Sequence, residues 1–105
     1  MKVIWTEQAL YDWQVIADYI FDRFGLNALI DFHEETRAQQ TGIVRFPDGG
    51  APLSSKRRQR CEFRYVPINK LSKMIYHVDG ETIYVDVFWD VRQDPKRLAK
   101  RLANF

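Results

Sequence analysis

Basic and aromatic residues interleave through the second half of this 105-residue chain. Lys56-Arg57-Arg58-Gln59-Arg60 runs towards Arg64-Tyr65, Lys70, Lys73 and Tyr76-His77, and Arg92, Lys96-Arg97 and Lys100-Arg101 follow. Lysine and arginine neutralise phosphates while tyrosine and tryptophan rings stack on bases, so such a surface suits a nucleic acid. On neighbouring strands Arg60, Arg64, Lys73 and His77 can share one face. The competing reading is a solvated charged surface whose cations find internal partners in Glu62, Asp86 and Asp90.

The usual catalytic and metal patterns do not stand out. The Gly49-Gly50 pair precedes Ala51-Pro52 rather than a helix, which is not a phosphate-binding loop. The two histidines, His33 and His77, are far apart and have no cysteine nearby, so no metal site and no cofactor are expected. A nucleophilic triad would need Cys61 or a serine beside His77, and no spacing favours that. Asp48 with Glu62-Phe63-Arg64 faintly follows an acid–acid–basic metal nuclease order. However, Asp48 falls in a Gly/Pro loop and the third member is an arginine.

Composition narrows the class further. Hydrophobic residues make up 46% and charged residues 29%, the balance of a globular domain rather than a disordered one. The length suits one domain over residues 1–105. Seven Phe, five Tyr and three Trp supply the large side chains a core needs. A single cysteine excludes an internal disulfide and suits a reducing compartment. No run approaches the roughly 20 apolar residues of a membrane span. The start, Met1-Lys2-Val3-Ile4-Trp5, does not read as a secretory signal, so a cytoplasmic protein is expected. Net charge is +2, unevenly spread: residues 1–53 carry four Lys/Arg against eight Asp/Glu, residues 54–105 twelve against six. Such polarity suits an anionic partner for the second half without saying whether it is RNA, DNA or an acidic protein.

Several elements must position these side chains. Lys2 to Trp5 reads as a short strand, after which Thr6 caps a helix. That helix has an apolar stripe at Leu10, Trp13, Ala17, Ile20 and Phe24 and stops at Gly25. Asn27 is expected to cap a second helix to about Gly42, with Leu29, Phe32 and Ile43 inward, forming an antiparallel hairpin with the first. Phe46 to Ser55 reads as a loop. Three strands follow: Arg60 to Val66, with Cys61, Phe63 and Tyr65 on one face; Ser72 to Val78; and Thr82 to Trp89. Asp79-Gly80 marks a tight hairpin between the last two. Asp94 and Pro95 then open a short basic helix. The expectation is an α+β fold in the order β-α-α-β-β-β-α. The helical hairpin packs on one face of an antiparallel sheet, and the other face stays partly open.

The run Lys73-Met74-Ile75-Tyr76-His77-Val78, the Asp79-Gly80 turn and Ile83-Tyr84-Val85-Asp86-Val87-Phe88 resemble the tail of the RelE/ParE superfamily of bacterial toxins. There a basic residue, two apolar residues and a tyrosine lead into a hairpin and an apolar strand, which ends in a polar turn with an arginine. The turn here is Trp89-Asp90-Val91-Arg92-Gln93-Asp94-Pro95, and Ile4-Trp5-Thr6 with Ala9, Asp12 and Ile16 matches the front half. The resemblance spans nearly the whole chain and implies a growth-inhibiting toxin neutralised by a cognate antitoxin. RelE-type members cleave ribosome-bound mRNA without a metal, using basic residues and often a C-terminal tyrosine. ParE-type members inhibit DNA gyrase. Lys73 and Arg92 match the family's strand and turn positions, with Arg64 and Arg60 as looser matches. As a ribonuclease the chain would rely on Lys73, Arg92 and Arg64; as an inhibitor, Arg60, Arg64, Lys73 and Arg92 would meet the target. Residues 93–105 contain no tyrosine or histidine, which favours the ParE-like side.

Overall fold

The computed structural model describes residues 1–53 and 61–104. Elements follow the expected order with one addition: β1 Lys2–Trp5, α1 Glu7–Phe24, α2 Leu26–Arg45, β2 Ala51–Pro52, β3 Arg64–Pro67, β4 Ser72–Asp79, β5 Thr82–Asp90 and α3 Pro95–Ala103. The five strands lie in the order β1-β5-β4-β3-β2. They are antiparallel except at the edge, where β1 runs parallel to β5 in the register Val3↔Ile83 to Trp5↔Val85. The expected Phe46–Ser55 loop contains β2, which pairs Ala51 with Tyr65 and Pro52 with Arg64. A proline at such a ladder is tolerated because β2 is the last strand of the sheet.

Local chemistry explains the helix boundaries. The Thr6 side chain accepts from the Ala9 N–H at 3.1 Å, closing the start of α1. Gly25, at φ 88°, ends α1 and also begins α2. That conformation is open to glycine without a Cβ penalty, so the chain reverses on one residue. Asn27 is therefore inside α2 and not its cap; α2 starts at Leu26 with no capping side chain. The β4–β5 turn also differs by one residue. Asp79 and Thr82 pair across it, and only Gly80 takes positive φ (61°), so the two turn residues are Gly80 and Glu81. Glycine at the first of two hairpin positions is the type II′ arrangement. Asp94 accepts from the Lys96 N–H at 2.9 Å and Pro95 stands at the first position of α3, as expected.

Two apolar layers enclose the sheet. On one side α1 and α2 bury Ala9, Ala17, Phe32 and Ile43 against Met74, Tyr76, Ile83, Val85 and Phe88. The inward stripe of α1 is shifted from the expected one. Trp13, Ile16 and Ile20 pack on this cluster, whereas Leu10 and Phe24 are 56% and 63% exposed. The hairpin folds back so that Trp13 stacks on Phe32, its Nε1 donating to Thr36 Oγ1 at 3.0 Å. Thr36 donates in turn to the Phe32 carbonyl at 2.8 Å. The opposite side of the sheet is closed by α3, whose Leu98 and Leu102 cover Phe63, Ile75, Val87 and Trp89.

Candidate functional site

Strand alternation decides where the candidate cations go. In β4, Met74 and Tyr76 face the helical hairpin, so Lys73, Ile75 and His77 face the α3 side. In β3, Tyr65 packs on the α3-side cluster and Arg64 pairs with Tyr76, which places Arg64 on the hairpin side. The single face expected for Arg60, Arg64, Lys73 and His77 is therefore not formed: Lys73 and His77 share one face and Arg64 lies on the other. The Arg60 assignment lies outside the described residues.

Each described candidate is occupied within the chain. Arg64 Nη1 donates to the Gly50 carbonyl at 2.9 Å and the Asp48 carbonyl at 3.2 Å, and Nη2 meets Glu62 Oε1 at 3.0 Å. Beside it the buried Tyr76 O–H donates to the Pro47 carbonyl at 2.8 Å, and its oxygen accepts from the Gly50 N–H at 3.0 Å. Arg64 and Tyr76 together hold the chain between α2 and β2. Burial pushes the Tyr76 hydroxyl above its ordinary value. Gly50 is needed here, since a Cβ would fall 2.5 Å from the Tyr76 hydroxyl.

Lys73 Nζ sits 4.7 Å from the centroid of the Tyr65 ring, and partial burial lowers its pKa. Arg92 lies past the end of β5, where Asp90 takes it as a fork: Nε to Oδ1 at 3.0 Å and Nη2 to Oδ2 at 2.7 Å. Its guanidinium also lies 5.2 Å from the Tyr19 ring centroid, with Nη1 3.4 Å from the hydroxyl. The pair shifts both ways: Asp90 raises Arg92, while Arg92 lowers Asp90 and Tyr19. Tyr19 belongs to α1, so Arg92 is on the hairpin side and Lys73 on the α3 side. The two positions that best match the family's basic pair do not converge on one phosphate-sized point.

Arg92 instead rims an apolar groove of about 360 Å³ between the hairpin and the ends of β4 and β5. Val15, Ile16, Ile20 and Phe24 line one side with Phe32 and Leu71, and Asp31, Glu35 and Asp90 join Arg92 at the edge. Val15, Phe24 and Leu71 are exposed, so the groove is open to a partner side chain.

Two roles and one pairing were not visible in the sequence. Tyr19, the partner of Arg92, was masked by its place in a helix pattern. Asp12 was noted only as part of the family match. Here its Oδ2 accepts both the Phe88 N–H, at 3.2 Å on the stretch of β5 beyond the reach of β1, and Arg101 Nη2 at 2.9 Å. It thereby ties α1, β5 and α3. His77 Nδ1 lies 2.6 Å from Asp86 Oδ2. Its visible signal was an acid inside the apolar run Ile83 to Phe88. Glu62, Asp86 and Asp90 are thus all internal partners, as the solvated-surface reading expects, although Asp86 serves a buried contact. Among the described residues there is no group of three or more potential metal ligands and no helix long and apolar enough to cross a membrane.

No protein-family model matches the chain, and no curated protein sequence matches it. Solved structures do. A chain of the chromosomal ParDE TA system from P. aeruginosa superposes with TM-score 0.68 at 18% identity, covering 86% of this chain and 95% of that one. A YoeB/ParE toxin from Agrobacterium tumefaciens gives 0.61 at 18%, covering 86% and 98%. A YoeB dimer from Staphylococcus aureus gives 0.58 at 18%, covering 83% and 92%. This chain therefore shares the fold of these ParDE and YoeB/ParE structures over more than four fifths of its length.

Proposed function

We propose that the chain is the toxin of a type II toxin–antitoxin pair, held inactive by a cognate antitoxin, and that it acts as a ParE-like inhibitor of DNA gyrase. The toxin reading draws on the likeness to the ParDE and YoeB/ParE structures along most of this chain and nearly all of theirs. The choice of target rests on one observation: Lys73 and Arg92 lie on opposite sides of the sheet, each with an internal partner. A metal-independent ribonuclease needs cations preorganised around one scissile phosphate. A protein inhibitor needs only a complementary surface, for which separated, partly satisfied charges suffice. The groove beside α1 suits an amphipathic antitoxin segment, with apolar side chains in the cleft and charged flanks.

The ribonuclease reading keeps one observation of its own, the His77 ring held by Asp86 on the same face as Lys73. A paired assay separates the two. Growth arrest on regulated expression, relieved by the antitoxin, tests the toxin reading. The same preparation is then given gyrase with relaxed plasmid, and ribosome-bound mRNA read by primer extension. Inhibited supercoiling with intact mRNA is the expected result. Ribosome-dependent cuts that vanish in Lys73→Ala and Arg92→Ala would replace the gyrase assignment with RelE-like cleavage. Normal growth with abundant folded protein would remove the toxin reading.

A further inference from the structure

Asp86 occupies an irregular position in β5. The ladder passes from Ile75↔Val87 to Tyr76↔Val85, so Asp86 has no partner across β4. This is a β-bulge, and it turns two successive side chains, Asp86 and Val87, to the α3 side. The Asp86 side chain is 1% exposed, in a layer otherwise built from Phe63, Ile75, Val87 and Trp89. Its Oδ2 meets His77 Nδ1 at 2.6 Å, while the buried Oδ1 has no hydrogen-bond partner among the described residues. A carboxylate taken out of water and held by one hydrogen bond is costly unless that bond comes from a cation.

His77 is built to be that cation. Its ring stacks on Tyr84 at 5.1 Å and 16°, and meets the Phe63 ring edgewise at 5.8 Å and 81°. The ring is thus held by Asp86 at Nδ1 and packed between Tyr84 and Phe63. The described titratable groups facing the pair are Tyr84 in β5, Asp79 in β4 and Cys61 ahead of β3. Asp79 acts with Asp86 to favour positive charge on His77, and both acids, with burial, hold the Cys61 thiol in its neutral form. No described cation competes with His77 for Asp86.

We propose that the His77–Asp86 pair is a proton-operated fastener of the α3 side. With His77 charged, the imidazolium–carboxylate bond closes β4 onto the β5 bulge and seats Phe63. With His77 neutral, Asp86 is buried without a countercharge and that side of the sheet loosens. The inference is independent of which target the protein acts on.

The direction of the pH effect follows from the pair. The hydrogen bond to Asp86 raises His77 in the folded state, against the smaller opposing effect of burial. A group raised on folding contributes stability that is fully present below its unfolded value, about 6.5 for histidine. That contribution is lost as pH rises through the folded midpoint. Burial also raises Asp86, with His77 pulling it down, so protonation of Asp86 in acid costs the fold little. The loss therefore falls on the neutral-to-alkaline side.

Two measurements test this. Imidazole nitrogen shifts of His77 in the wild-type chain, folded and urea-unfolded, give its two midpoints without any substitution. Melting temperatures from about pH 6 to about pH 9 are then compared for wild type, His77→Gln and Asp86→Asn. The folded midpoint should lie above the unfolded one. The Phe63 and Tyr84 ring resonances should move with it, and wild type should show a downward step in melting temperature that both variants lack. A folded midpoint at or below the unfolded value overturns the proposal. So does a step of equal size in His77→Gln. If neither variant folds, the wild-type midpoints and ring shifts still decide the matter.

Discussion

The two sides of the sheet are covered by different means. On the hairpin side, two helices of 18 and 20 residues press Trp13, Phe32 and Ile43 onto Met74, Tyr76 and Phe88. In its interior Trp5, Trp13, Thr36 and Tyr76 meet neutral partners, as Trp5 Nε1 does Gln40 Oε1 at 2.9 Å, while the ion pairs Arg64–Glu62 and Arg92–Asp90 stay at its exposed margins. On the other side a nine-residue helix supplies Leu98 and Leu102, and a buried acid stands within the layer. The α3 helix is held further by Arg101 on Asp12. Apolar area and neutral hydrogen bonds carry the interior of the first side and change little with pH. The second has less apolar cover and depends on charged contacts, so its integrity depends on conditions.

The largest expected effect tests that contrast directly. Phe32→Ala should destabilise the fold by about 3–5 kcal/mol, because a ring wedged between Trp13 and the sheet leaves a cavity that two long helices cannot fill. Leu102→Ala should cost nearer about 2 kcal/mol, since a short terminal helix can shift to close the gap. Urea unfolding monitored by tryptophan fluorescence gives both, and a larger loss for Leu102→Ala would reverse the ranking of the two sides.

Next in size is the strap that crosses the far end of the hairpin side. Gly50→Ala drives a methyl group into the Tyr76 hydroxyl and should cost about 1–3 kcal/mol by breaking its two hydrogen bonds. Tyr76→Phe removes the same bonds without the clash. If thermal melts show Tyr76→Phe to be as stable as wild type, those bonds do not hold the strap, and the cost of Gly50→Ala is steric alone.

Asp12→Asn reaches across to the α3 side. It leaves Arg101 without its carboxylate and weakens the acceptor for the Phe88 N–H, which should amount to about 1–2 kcal/mol. Faster amide exchange should appear in residues 98–103, with that of residues 32–43 unchanged. Equal acceleration in both stretches would show that Asp12 supports the whole fold rather than α3.

The smallest effect on stability is expected at Arg92, an exposed cation paired with Asp90 at the rim of the groove. Arg92→Ala should leave the unfolding curve unchanged within error. For an inhibitor that works through an extended surface, it should weaken growth arrest by up to about tenfold rather than abolish it. Complete loss of toxicity in a stably folded Arg92→Ala protein would mark this arginine as indispensable to the mechanism.

Much of the architecture was readable because it is written in local chemistry. Thr6, Gly25, Asp94 and Pro95 mark helix ends through their own side-chain and backbone preferences, and alternation in β4 and β5 follows from the pleat. Such signals act within a few residues and need no partner from elsewhere. The inward face of α1 was placed wrongly by part of a turn. Leu10 and Phe24 have the right residue type, but the angle at which the helix lies on the sheet selects Ala9 and Ile16 instead.

The candidate site was legible only as a list of cations. Sequence by itself determined the fold class, the element order and the residues with charge to offer. Tertiary structure alone decided which of them meet. The β3–β4 register put Arg64 and Lys73 on opposite faces, and the reach of Tyr19 drew Arg92 to the hairpin side. The bulge turned Asp86 inward to His77. A one-residue change in register moves a side chain through the sheet to its other face, and no local propensity encodes that choice.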